Sequence, residues 1–275
     1  MKKILVPIDF SKQSDYATKL AARIANKTGA EVYLLHLVEL PSGLVDMGAG
    51  SNFSIPESMM YLRMVKEKIL SIKDTVFDSN TTVKYSIRFQ NPFEGILNYS
   101  NKIEPDLIVM GSKGISNFDE ILIGSNTEKV VRTSKVPVLV VKNNPDTFKI
   151  KELVFASNFK EENKKSFIMF LDFALKFNSN IHLLKINTIS KFETTSVSKE
   201  KIADFLKDFD VPKYSIHIYN DASIEKGIIN FANEINADLT ALSTHGRSGL
   251  SHLFNGSISK NLTKSSLRPV ITFKI

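Results

Sequence analysis

Gly111-Ser112-Lys113-Gly114 directly follows the apolar run Leu107-Ile108-Val109-Met110, and Gly124-Ser125-Asn126 comes after a nine-residue spacer. Thr127 to Lys135 then reads as a helix. A buried strand, a glycine turn, a spacer and a second Gly-Ser at a helix start make a phosphate-binding arrangement. Gly111 and Gly114 can take positive φ and let backbone N–H groups approach an anion. Gly124-Ser125 opens a helix whose first N–H groups lack partners and whose end carries roughly +0.5 charge. The spacing matches neither the Walker loop nor the dinucleotide fingerprint.

Working outward, the stretch sits in an alternation of strands and helices. Lys3 to Ile8 is a β-branched apolar run, as expected of a strand buried on both faces, with Pro7 near its end. Ser11 or Ser14 can cap a helix carrying Ala17, Leu20, Ala21, Ile24 and Ala25 on one face and stopping at Gly29. Glu31 to Val38 is the next strand, followed by a long irregular stretch, Pro41 to Pro56. Met59 to Val76 is an amphipathic helix with Leu62, Val65, Ile69, Ile72 and Val76 in a stripe, and Met59, Met60 and Met64 read as core filler. Thr82 to Phe89 is a strand, and Asn91-Pro92-Phe93-Glu94 starts a helix with Ile96, Leu97, Ser100 and Ile103 buried. Pro105 to Met110 and Val136 to Val141 complete five strands, which the alternation makes parallel.

After a polar linker the pattern begins again. Leu153 to Phe159 matches Ile4 to Phe10, Ile181 to Leu184 matches Val32 to Leu35, and Tyr214 to Ile216 matches Tyr85 to Ile87. Gly227 matches Gly95, Asp238-Leu239 matches Asp106-Leu107, and Pro269-Val270 matches Pro137-Val138. Ser243-Thr244-His245-Gly246 stands for the first glycine turn and Gly256-Ser257 for the second, across the same spacer. The chain is a tandem duplication, with domains at 1–143 and 149–275.

Composition bounds the partners. The 275 residues carry a net charge of +7, mild and spread over both halves, without the basic stripe and stacking aromatics of a nucleic-acid binder. Lys149, Lys151, Lys160, Lys164 and Lys165 alternate with acids and read as a solvated face. No window approaches a membrane span, so no membrane association is expected. There is no cysteine and no export signal, which makes the cytoplasm the default. His36, His182 and His217 lie on strands and read as structural, while His245 and His252 lack metal-ligand spacing. The phenylalanines at 167, 170, 173 and 177 read as packing residues.

These residues resemble the universal stress protein family in its tandem form. The carriers are Val6-Pro7-Ile8-Asp9-Phe10-Ser11, the glycines at 111, 114 and 124 with Ser125, and Val136 to Val141. In the second half they are Ser243 to Leu250, Gly256-Ser257 and Arg268-Pro269-Val270. The resemblance implies an α/β fold of two doubly wound domains. Each has a five-stranded parallel sheet in order 3-2-1-4-5, helices on both faces, and a ligand crevice between strands 1 and 4. Two copies pair in single-domain members. The tandem is expected to form that pair within one chain, its fifth strands the candidate edges, with a homodimer a further option.

The resemblance also implies ATP or another adenine nucleotide, with or without magnesium, in the first domain. Its site residues are Asp9, Gly111, Gly114, Gly124, Ser125 and Asn126, with Met110 and Val38 as neighbours. The second site is degenerate: Asn158 and Ser243 replace the aspartate and first glycine, while Gly246, Gly256 and Ser257 remain. Nucleotide is expected to bind there weakly or not at all. The expected role is a ligand-dependent switch in a stress response, with no catalytic residues and no metal site assigned. A ligand-independent scaffold and a slow ATPase stay as alternatives. Individual residues keep two readings: Asp9 as ligand contact or helix-start cap, Ser125 as phosphate contact or as a capping box with Glu128, and Lys113 as phosphate contact or exposed lysine.

Overall fold

The computed structural model describes residues 1–39, 55–112, 124–145, 149–244 and 268–275. The first half runs β1 (Lys3–Ile8), α1 (Lys12–Thr28), β2 (Glu31–Val38), α2 (Ile55–Val76), β3 (Val83–Phe89), α3 (Pro92–Ile103), β4 (Leu107–Gly111), α4 (Ser125–Thr133) and β5 (Val138–Val141). The second runs β6 (Glu152–Ala156), α5 (Lys164–Phe177), β7 (Asn180–Asn187), α6 (Thr195–Leu206), β8 (Tyr214–Asn220), α7 (Ile224–Glu234), β9 (Leu239–Thr244) and β10 (Val270–Lys274).

Local chemistry sets these boundaries. Ser11 caps α1 by accepting from the Ser14 amide, and Gly29 ends it at φ 71° with its N–H on the Ala25 carbonyl. Asn91 caps α3 by accepting from the Phe93 and Glu94 amides, with Pro92 in the first turn where no N–H is needed. The strand-4 aspartates lock register: Asp106 accepts from the Lys2 and Lys3 amides, and Asp238 from the Lys151 and Glu152 amides. The matched Asp-Leu pairs of the repeat are therefore the same clamp used twice.

The ten strands among the described residues form one sheet in the order β3-β2-β1-β4-β5-β10-β9-β6-β7-β8. Each half has the reversal expected of a doubly wound domain, and its strands pair parallel. The halves join edge to edge where β5 and β10 pair antiparallel, Val270 opposite Val140 and Thr272 opposite Val138. These are the two edges expected to meet. Each sheet face then buries one apolar layer that crosses the junction. One layer runs from Leu20 and Ile24 on α1 to Phe167 and Phe170 on α5. The other includes Ile96 and Tyr99 on α3, Val130 on α4, and Ile228 and Phe231 on α7.

Several expectations need correction. Met59, Met60 and Met64 are 67%, 68% and 48% exposed, so they do not fill the core. The sheet takes Val65 and Ile69, with Leu62, Ile72 and Val76 half-buried; Met64 lies one residue before Val65, about 100° around the helix, and Met60 two residues before Leu62, about 200° around. In α3 the buried set is Gly95, Ile96, Tyr99 and Ser100, with Leu97 and Ile103 at its margin. Helix α2 starts at Ile55, and residues 40–54 of the irregular stretch lie outside the described residues. Among the described residues no helix is long and apolar enough to cross a membrane.

Candidate functional site

The site begins with a turn. Leaving β1, Phe10 adopts φ 63°, in the left-handed region a bulky residue rarely enters. Asp9 braces that turn: its Oδ1 accepts from the Ser11 amide at 3.0 Å, while the Asp9 amide donates to the Ser14 Oγ at 3.3 Å. The Phe10 ring settles against His36, centroids 4.7 Å apart. The second half repeats the geometry with Phe159 at φ 54° and the Asn158 Oδ1 accepting from the Lys160 amide at 3.1 Å. Holding the turn thus requires one side-chain oxygen and no charge. Neither reading of Asp9 is complete alone: it supports the helix start, Ser11 is the cap, and the carboxylate also lines the crevice.

Across the crevice, β4 ends at Gly111. A Cβ there would lie 2.7 Å from the backbone carbonyl carbon of Gln13 and 2.9 Å from its oxygen. Gly111 is therefore needed for close approach of α1 to β4. It is not among the positive-φ residues, so the left-handed conformation open to a glycine is not used here. Ser243 stands in its place in the second half, where the helix entry differs: Glu161–Asn163 form a short 3-10 turn before α5. The Ser243 hydroxyl lies 2.6 Å from that of Ser166.

The third wall is the start of α4. Gly124 is its N-cap and offers no side chain to the first amides. Of the two readings of Ser125, the capping box with Glu128 drops out, because Ser125 is already helical and the cap position is one residue earlier. The helix is tied down by other bonds. The Gly124 amide donates to the Ser112 carbonyl at 2.7 Å, and the buried Thr127 hydroxyl donates to the Gly111 carbonyl at 2.9 Å. Among the described residues no side chain caps this N-terminus, which opens on the crevice with its partial positive charge.

These walls enclose about 440 Å³ between β1 and β4. Asp9, Val38, Met110, Gly111, Gly124, Ser125 and Asn126 all line it; Gly114 and Lys113 lie outside the described residues. Leu37, Ser14 and Thr127 line it too and were not among the expected site residues. Leu37 adjoins Val38 where the strand runs out, so both faces of the strand end are available. Leu37 also explains Gly95: a Cβ at Gly95 would come within 2.4 Å of Leu37 Cδ2. Thr127 has no readable signal, since its role depends on where β4 ends.

His36 also borders the crevice. Its Nδ1 lies 2.9 Å from the Ile8 carbonyl, which can only accept, so Nδ1 carries the hydrogen. Burial pushes its pKa down, against the opposing pull of that bond and of Asp9. The ring is therefore neutral at pH 7, and its Nε2 is buried without a partner among the described residues.

The second half has its own crevice at the equivalent place, about 730 Å³, lined by Asn158 and Ser243 among others. Gly246, Gly256 and Ser257 lie outside the described residues.

These features match the chemistry of an adenine nucleotide. An apolar wall of Leu37, Val38 and Met110 suits a flat base, Asp9 can accept from hydroxyls, and uncapped amides suit phosphates.

Comparison with known proteins follows the same lines. Residues 1–142 and 192–274 match the sequence model of the universal stress protein family. The universal stress protein MJ0577 of Methanocaldococcus jannaschii is 36% identical over 154 residues, covering 51% of this chain and 94% of that protein. The universal stress protein Slr1230 of Synechocystis is 20% identical over 291 residues, with 100% of each chain covered. The crystal structure of a universal stress protein from Archaeoglobus fulgidus has a TM-score of 0.71 at 21% identity, covering 99% of this chain and 96% of that one. With a doubly wound fold in two copies and the family's sequence pattern across most of its length, the chain belongs to the universal stress protein family.

Proposed function

We propose that the first crevice binds ATP or a related adenine nucleotide, with or without magnesium, and that occupancy switches the protein's shape or partner affinity in a stress response. The observation that carries this reading is the pairing of the uncapped α4 terminus with the Asp9 carboxylate across one cavity. Among the described residues the fold uses one oxygen of Asp9, for its turn, and the second half manages with an amide there. The charge is therefore surplus to folding and available to a ligand. Asp9, Val38, Met110, Gly111, Gly114, Gly124, Ser125 and Asn126 are the proposed contacts. The proposed domain limits are 1–143 and 149–275. Asn158, Ser243, Gly246, Gly256 and Ser257 form a degenerate counterpart that takes nucleotide weakly or not at all.

For a switch, the nucleotide must bind two conformations with different free energy. The test is a thermal-shift comparison of ATP, ADP and AMP with mass spectrometry of co-purifying small molecules. Ligand at about 100 times Kd should stabilise the fold by about 2.7 kcal/mol. No shift with any of the three, and no retained nucleotide, would overturn the reading.

A further inference from the structure

The two crevices have diverged in charge. Among the described residues lining the first, the charged side chains are Asp9 and Glu39, both acidic. The second is lined by Lys160, Lys185, Lys191 and Lys201 against Glu193 and Glu225. The strand register shows where the exchange happened. Lys185 follows Leu184 on β7 as His36 follows Leu35 on β2, and Asn158 replaces Asp9. Relative to the first crevice, the second lacks the strand-end acid and carries a buried ammonium.

That ammonium is built into the site. Lys185 is only 7% exposed, its Nζ donates to the Ser198 Oγ at 2.8 Å, and it pairs with the Glu193 carboxylate. The other oxygen of Glu193 accepts from Lys201 Nζ at 2.6 Å. Two ammonium groups thus hold one carboxylate at the crevice wall. The pairing pulls the pKa of Glu193 down to about 2. Around it the crevice offers apolar surface from Leu184, Ile186, Ile228 and Leu242.

We propose that the second crevice is a site for a small organic anion with an apolar body and a carboxylate or phosphate group, and that Glu193 holds Lys185 and Lys201 in its absence. Glu193 is carried between the short 3-10 turn Ile189–Lys191 and α6, outside the sheet, where it can yield to an incoming acid. The volume suits such a ligand, since small-molecule pockets span about 300–1,000 Å³. The inference concerns the second half and does not depend on nucleotide binding in the first.

The test uses the full chain, titrated calorimetrically with glutarate, citrate, phenyl phosphate, inorganic phosphate and ATP. Glu193→Gln frees both lysines and should tighten the preferred acid about tenfold, since charge-assisted hydrogen bonds are the strong ones. Lys201→Ala, at a half-exposed position, should weaken it by a similar factor without unfolding the chain. Preference for carboxylates or for phosphates identifies the acid group, and either supports the proposal. Failure of every organic acid to bind both the native chain and Glu193→Gln would overturn it. So would affinities indifferent to both substitutions, or ATP occupying two equal sites.

Discussion

Gly111 and Gln13 touch backbone to backbone: a Cβ on Gly111 would sit 2.7 Å from the Gln13 carbonyl carbon. No side-chain rotation relieves such a contact, so strand β4 or helix α1 must shift. Gly111→Ala should destabilise the fold by about 1–3 kcal/mol, the usual range for overpacking. Urea unfolding measures this directly. A midpoint equal to the native one would show that the α1 entry relaxes freely, as the 3-10 entry beside Ser243 does in the second half.

Asp9 separates fold from ligand. Asp9→Asn keeps an oxygen for the Ser11 amide, as Asn158 does for Lys160, and should change stability by no more than about 0.5 kcal/mol. Nucleotide affinity should still fall roughly tenfold through the lost charge. Asp9→Ala should lose both, with a stability cost of about 1 kcal/mol. Native-like nucleotide binding by Asp9→Asn would remove the carboxylate from the ligand contacts.

Two histidines tie stability to pH. Burial lowers the pKa of His36, and burial together with neighbouring His182 lowers that of His217. Unfolded histidine titrates near 6.5, so the unfolded chain takes up protons first. Stability from these groups is therefore complete above about pH 6.5 and declines as pH falls from there towards the folded values. Denaturant midpoints should be level from pH 9 to 7 and drop as pH falls below about 6.5. His217→Gln should shrink the drop.

The aromatic layer makes Phe170 a sensitive position. Its ring lies 5.0 Å from Phe155 and 6.3 Å from Phe273, linking α5 to β6 and β10 beside the junction. Phe170→Ala should cost about 3–5 kcal/mol. Because β10 carries the antiparallel pairing with β5, the loss should appear in the unfolding of both halves. A variant that melts the second half alone would show the halves to be energetically independent.

Much of the architecture was legible because it rests on local signals. The Ser11 and Asn91 caps, the Gly29 stop and the repeated Asp-Leu pairs each act within a few residues or by strict repetition. Seven residues that the family resemblance implied line the first crevice, since motif residues at strand ends converge where the strand order reverses. What was misread depends on neighbours distant in sequence. The methionines of α2 carry an apolar label, but the sheet is met by the stripe beside them. Of the two readings of Ser125, the structure removes the capping box, since the helix begins one residue too early for it.

The sequence by itself determined that there are two copies of one doubly wound unit and that one copy kept its glycines and its strand-1 aspartate. Periodicity, caps and repeats are local, and they survive being read in one dimension. The tertiary structure decided what those residues do. Gly111 is a glycine because the Gln13 backbone passes over it, Thr127 anchors α4 because β4 ends beside it, and Lys185 faces Glu193 because β7 and the entry to α6 meet at one crevice. These are contacts between segments brought together only by the sheet order, and their energies depend on distances that no spacing along the chain encodes.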